Sequence, residues 1–135
     1  MTGAAGPRGG DFDTRHWPIE IRLKQAEKAL EIDFDDGSCF RLPAEYLRVE
    51  SPSAEVQGHG PSQKQLVYGR AGVGISTVEP VGNYAIRITF DDRHDTGIYS
   101  WTYLYLLGVE QEQRWRDYVA ELATRGLSRE PERRG

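Results

Sequence analysis

Phe34 to Arg48 reads FDDGSCFRLPAEYLR, and Phe90 to Leu104 reads FDDRHDTGIYSWTYL. Each stretch is an apolar strand end, an acidic turn, a short second strand and the start of an aromatic and leucine-rich helix. A hairpin-to-helix unit that occurs twice in one chain implies two half-domains packed on each other. Upstream of the first copy, Ile19, Ile21 and Leu23 alternate with Glu20, Arg22 and Lys24, and Leu30, Ile32 and Phe34 alternate in the same way, the period of half-buried strands. Asp36-Gly37 turns the chain into a third strand over residues 39–42, and Pro43 suits the start of a short helix over AEYLRV. Upstream of the second copy, VGISTVEPV and NYAIRITF alternate about a Gly82-Asn83 turn.

The pattern predicts an α+β fold: a twisted, mainly antiparallel sheet of about six strands built from two related hairpin-helix units, with the C-terminal helices on one face. A helix begins at Trp101 with Ser100 as its cap, Gly108 is expected to interrupt it, and a last helix spans about 109–124. That helix aligns Trp115, Tyr118, Val119 and Leu122 on one face, to pack with Trp101 and Leu104 against Ile21, Ile32, Phe34, Ile86, Ile88 and Phe90. Residues 1–15 and 126–135 read as disordered ends around a single domain over 16–125, because neither offers enough apolar surface to offset its ordering entropy.

Composition narrows the function classes. With 17 Lys and Arg against 21 Asp and Glu, and four Arg against two Glu from Arg125 onward, the body of the chain is acidic, an unfavourable surface for nucleic-acid phosphates. No run approaches the roughly 18 apolar residues of a membrane span. The N-terminal stretch lacks the apolar run of a secretory signal and Cys39 is the sole cysteine, both of which favour the cytoplasm. Cys39, within a predicted strand, is expected to be a small buried hydrophobe.

His94, in DDRHDT, is crowded by Asp91, Asp92 and Asp95, nitrogen and oxygen donors that suit a hard metal, although solvated aspartates also collect at turns. The long Gly-rich stretch from Gly58 to Gly74 could deliver His59 to such a site. It also carries GRAGVG, a weak anion nest with Lys64 and Arg70 beside it. His59, Lys64, Arg70 and Arg48 are the candidate ligand or partner surface. No Ser-His-Asp motif, P-loop or dinucleotide fingerprint is present.

The combination FRLPAEYLRVESPSAEVQGHG followed by EPVGNYAIRITFDDRHDTGIYSWTYL resembles the family named for the N-terminal domain of gamma-butyrobetaine hydroxylase. In the full-length hydroxylases a separate oxygenase domain carries the catalytic iron and binds 2-oxoglutarate. The resemblance covers only the accessory domain, so it implies a non-enzyme. It also implies a zinc site of three cysteines and a histidine, whose positions fall here at Ser51, Ser53, Val56 and His94. With three of the four ligands replaced, no zinc and no other cofactor is expected. His94 is left as a relic, a turn-stabilising donor or a ligand in a different site. The same domain is found fused to P-loop iron-sulfur carriers, which implies a protein partner of that kind and an accessory or docking role in iron-sulfur assembly or at another metalloprotein. The alternative is a metal-ion or small-ligand module centred on His94, Asp92 and Asp95.

Overall fold

The computed structural model describes residues 16–52, 66–92 and 96–130. β1 (Pro18–Lys24), β2 (Ala29–Phe34) and β3 (Cys39–Pro43) form one antiparallel sheet and lead into α1 (Ala44–Val49). β4 (Ile75–Val81), β5 (Ala85–Phe90) and β6 (Thr96–Ser100) form a second, which leads into α2 (Trp101–Val109) and then α3 (Gln111–Arg125). The layout is α+β, and six strands are present among the described residues. They are divided between two sheets of three rather than joined in one. The third strand of each unit passes directly into a helix, so the units meet through their apolar faces, and both contribute to one core cluster.

The repeat is legible in the register. β2 and β5 have the same inward and outward sequence, with Leu30, Ile32 and Phe34 matched by Ile86, Ile88 and Phe90 in the core. The first strand of each unit carries an irregularity one residue from its start, between Pro18 and Glu20 in β1 and between Ile75 and Thr77 in β4. A bulge inserts a residue that the partner strand does not match. Ile19 is that residue, which is why it is 70% exposed although its spacing predicts burial with Ile21 and Leu23.

Helix ends follow from local chemistry. Ser100 Oγ accepts from Tyr103 N at 3.1 Å and caps α2. α3 closes at Gly126, with φ 68°, where Gly126 N reaches Ala123 O and Leu127 N reaches Leu122 O, a left-handed turn that glycine adopts without steric cost. Gly108 does not interrupt α2, which runs on to Val109. Tyr118 and Leu122 are buried, but with Val49 in a second, smaller cluster rather than in the main core, and Val119 faces outward. Trp115 is half-buried where the two clusters touch.

The segment after α3 is also held. Gly69 N and Ala71 N donate to the carbonyls of Ser128 and Arg129, and Arg129 makes a two-pronged ion pair with Glu45 at 2.8 and 2.9 Å. The expected tail disorder therefore does not begin at 126. Backbone pairing and a buried carboxylate fix the chain as far as Glu130, and residues 131–135 lie outside the described residues, as do residues 1–15.

Candidate functional site

The second acidic turn is built into the fold. Asp91 exchanges two hydrogen bonds with Gly74, accepting from its amide at 2.9 Å and donating its own amide to the Gly74 carbonyl at 3.0 Å. A Cβ at position 74 would stand 2.7 Å from Asp91 Oδ2, so glycine is needed for this approach. Asp92 lies between two guanidiniums, with Arg48 Nε at 3.0 Å and Arg70 Nε at 2.9 Å. Arg48 is 4% exposed and lies over the Phe90 ring, so it is a buried anchor and not part of an exposed partner surface. Of the predicted metal set, the structure thus places Asp92 in a structural ion cluster. His94 and Asp95 lie outside the described residues, as do His59 and Lys64. Among the described residues no three His, Cys, Asp or Glu side chains are grouped to hold a metal.

Four of the six amides of the GRAGVG loop are spent within the fold. Those of Gly69 and Ala71 go to the C-terminal segment, that of Val73 to Arg70 O, and that of Gly74 to Asp91. An anion nest needs successive amides converging on one point, and these four go to four different acceptors. Arg70, partly exposed, keeps its charge on Asp92.

Ser51, at the first implied zinc position, is fully buried. Its hydroxyl hydrogen-bonds the Tyr99 side chain and would stand 2.8 Å from a Cβ added to Gly97. Zinc is bound by thiolate, imidazole or carboxylate. A neutral hydroxyl already packed among protein groups, with an aliphatic side chain at Val56, does not fit a zinc centre. Ser53, Val56 and His94 lie outside the described residues.

What the structure brings together instead is a set of tyrosines and one arginine at the ends of the paired helices. Tyr46 donates to Leu107 O at 2.7 Å, Tyr99 to Leu47 O at 2.5 Å and Tyr103 to Glu50 O at 2.6 Å, so each unit supplies hydroxyls to the carbonyls of the other. Burial pushes the Tyr99 hydroxyl well above the ordinary phenol range and Tyr103 up to about 12, the Glu50 carboxylate adding to the latter. Glu50 and Glu110 follow α1 and α2 with nearly the same backbone angles, φ −97° and −98°. Arg114 joins both, Nη1 to Glu50 at 2.9 Å and Nε to Glu110 at 2.8 Å. Burial opposes its charge, but the Glu110 hydrogen bond and the Glu50 charge outweigh that and raise its pKa.

Beside this clamp runs a groove of about 640 Å³ between α3, the end of α1 and residues 66–67. Val49, Leu66, Val67 and Tyr118 give it an apolar floor, and Tyr118 donates its hydroxyl to Val67 O at 2.8 Å. The sequence reading did not single out Glu50, Arg114 or Tyr118 as site residues. The Glu110 to Arg114 spacing of four was a legible signal. The Glu50 contact, 64 residues away in the chain, had none.

Cys39 is exposed on the solvent face of the first sheet, not buried. It faces Asp33 across the β2–β3 pair, and the hydrogen bond and charge of that carboxylate raise its pKa, so the thiol is held back from the reactive thiolate.

No curated protein matches the chain. Similar solved structures include two proteins determined in solution by NMR. One is 48% identical with a TM-score of 0.75, over 88% of this chain and 94% of that one. The other is 44% identical with a TM-score of 0.75, over 96% of each. A crystal structure from Acidithiobacillus ferrooxidans, of a protein of unknown function in the DUF971 family, is 41% identical with a TM-score of 0.57, over 67% of this chain and 91% of that one. The family model described as gamma-butyrobetaine hydroxylase-like, N-terminal, matches residues 21–105, from the first strand through most of α2. With the paired hairpin-helix units spanning that same stretch, the chain belongs to the gamma-butyrobetaine hydroxylase-like N-terminal family.

Proposed function

We propose that this chain is a cytoplasmic, non-catalytic accessory domain that works by binding another protein, with a P-loop iron-sulfur carrier or another metalloprotein as the partner class. The observation that carries the reading is the open groove with an apolar floor beside the Arg114 clamp. Concave apolar surface with a few polar groups at its edge is the usual form of a binding site. The carboxylates held in ion pairs support the non-catalytic part: buried Glu50 and Glu45 and part-buried Asp92 each link elements through an arginine. A general acid or base has to be available to its substrate. The reading includes no resident zinc, in keeping with a neutral hydroxyl at Ser51 and an aliphatic side chain at Val56.

Titrating the protein with purified P-loop carrier, apo and cluster-loaded, is the direct test. Calorimetry should give a saturable one-to-one complex with at least one form; no heat and no amide shifts with either would remove the carrier as partner. Elemental analysis of untagged protein addresses the competing reading. Stoichiometric metal that disappears in His94→Ala would favour a metal module at His94, Asp92 and Asp95 instead.

A further inference from the structure

We propose that the groove along α3 is a docking site for a peptide segment of a partner protein in which lysine or arginine stands next to apolar anchors. This inference rests on the interaction-module reading above and specifies its surface and the chemistry that surface selects. Three observations carry it. The first is shape. The helix side of the groove runs from Glu110 through Arg114, Tyr118 and Glu121 to Arg125, one stripe at spacings of three and four along the whole of α3. At about 1.5 Å per residue such a stripe is on the order of 20 Å long, the reach of several residues of extended chain rather than of one compact metabolite.

The second is the floor. Leu66 and Val67, both part-exposed, line the groove alongside Val49 and Tyr118, which are each 5% exposed, the Tyr118 hydroxyl being spent on Val67 O, so the accessible apolar surface is chiefly that of Leu66 and Val67. Apolar side chains would displace water from this floor favourably.

The third is charge. Four carboxylates, Glu50, Glu110, Asp117 and Glu121, line the groove with only two guanidiniums. Arg114 is shared by Glu50 and Glu110, and Arg125 is paired with Glu121 at 3.0 Å. Asp117 accepts from the neutral amide of Gln113 at 2.8 Å and is exposed. The surplus is negative. It repels phosphate backbones and acidic segments and attracts a cationic one.

The test uses the whole protein and defined probes: an amidated peptide of repeated Leu-Leu-Arg, a Leu-Leu-Glu counterpart and a Ser-Ser-Arg counterpart, followed by amide NMR shifts and by calorimetry at two salt concentrations. The Leu-Leu-Arg peptide should shift amides of residues 66–67 and 110–125. It should bind about tenfold or more tightly than either counterpart, and weaken as salt is raised. Asp117→Lys, at an exposed position, should lower its affinity by about tenfold, and Glu121→Lys should act in the same direction.

Equal binding of the acidic peptide, shifts confined to another surface, or an Asp117→Lys variant that binds as well as wild type would overturn the proposal. So would protection of the groove by a second copy of the chain, seen as the same shifts growing with protein concentration alone. The two readings fail separately. If the carrier binds and Asp117→Lys leaves that binding intact, the groove assignment falls while the carrier stands; if the peptide binds the groove and the carrier does not, the carrier falls while the groove stands.

Discussion

Gly108 lies inside α2 because the Phe40 ring occupies the place of its side chain: a Cβ there would overlap the ring carbons. Gly108→Ala gains roughly 1 kcal/mol of helix propensity and meets an overpacking cost of about 1–3 kcal/mol. The ring is held edge-on by Phe34 and Tyr105, so it yields little. A net loss of about 1–2 kcal/mol is expected, read as a lower urea midpoint with an unchanged slope. Asp36 gives the residue-scale pH prediction. Its carboxylate accepts from the Tyr105 hydroxyl at 2.6 Å and from Ser38 N at 2.9 Å, with His16, stacked on Tyr105, nearby. The Tyr105 bond, then the Ser38 amide, depress its pKa to about 2. A folded-state pKa below the unfolded value of about 3.9 means that this contribution is present above that value and is lost as pH falls through the folded one. Tyr105→Phe should therefore raise the Asp36 pKa toward the ordinary range and flatten the acid dependence between about pH 4 and 2. A carboxyl-carbon NMR titration reads the shift directly, and an unmoved Asp36 would show that the hydroxyl is not its cause.

At the scale of elements, one charged side chain bridges the two helix ends in addition to the tyrosine hydroxyls. Arg114 lies on α3 and bonds the residue after α1 and the residue after α2. The Glu50 side chain is only 7% exposed, so Arg114→Met takes a cation from a buried carboxylate. Breaking such a pair from one side costs about 3–5 kcal/mol when fully buried. Arg114 itself is 26% exposed, and about 2–4 kcal/mol is the expected loss in denaturant unfolding. Glu50→Gln in the same background should recover part of it, because the buried carboxylate that lost the Arg114 cation is then neutral. Strictly additive single-variant losses in that double-mutant cycle would show that Glu50 and Arg114 act independently.

For the whole molecule, the second cluster decides how α3 and the C-terminal segment are attached. Trp115 touches Tyr46, Tyr118 and the Arg129 guanidinium, and so joins the main core to the smaller one. Trp115→Ala should cost about 2–4 kcal/mol, since a large ring is removed from a half-buried site. Arg129→Ala should cost less, about 1–2 kcal/mol: the guanidinium is 43% exposed and screened, but the change takes a two-pronged partner from the Glu45 carboxylate, which is 7% exposed. Its effect should instead be local, as faster hydrogen exchange of the Gly69 and Ala71 amides, which donate to the Ser128 and Arg129 carbonyls. Equal stability losses for the two variants would contradict this division of roles. Alternation in ALEIDF and AIRITF, the Asp-Gly turn, the Ser100 cap and the duplicated hairpin were all legible in the chain, since each depends on neighbours a few residues apart. The α+β class and the membership of Ile32, Phe34, Ile86, Ile88 and Phe90 in the core followed from them. Contacts between distant parts of the chain were not legible: Arg48 inside an ion cluster, Arg114 across both units, the groove floor of Val49, Leu66 and Tyr118, and the anchored Arg129. Local sequence determines which way a side chain faces on its own strand or helix; which partner it meets is decided only when the units pack, because burial and charge pairing are energies of the assembled fold.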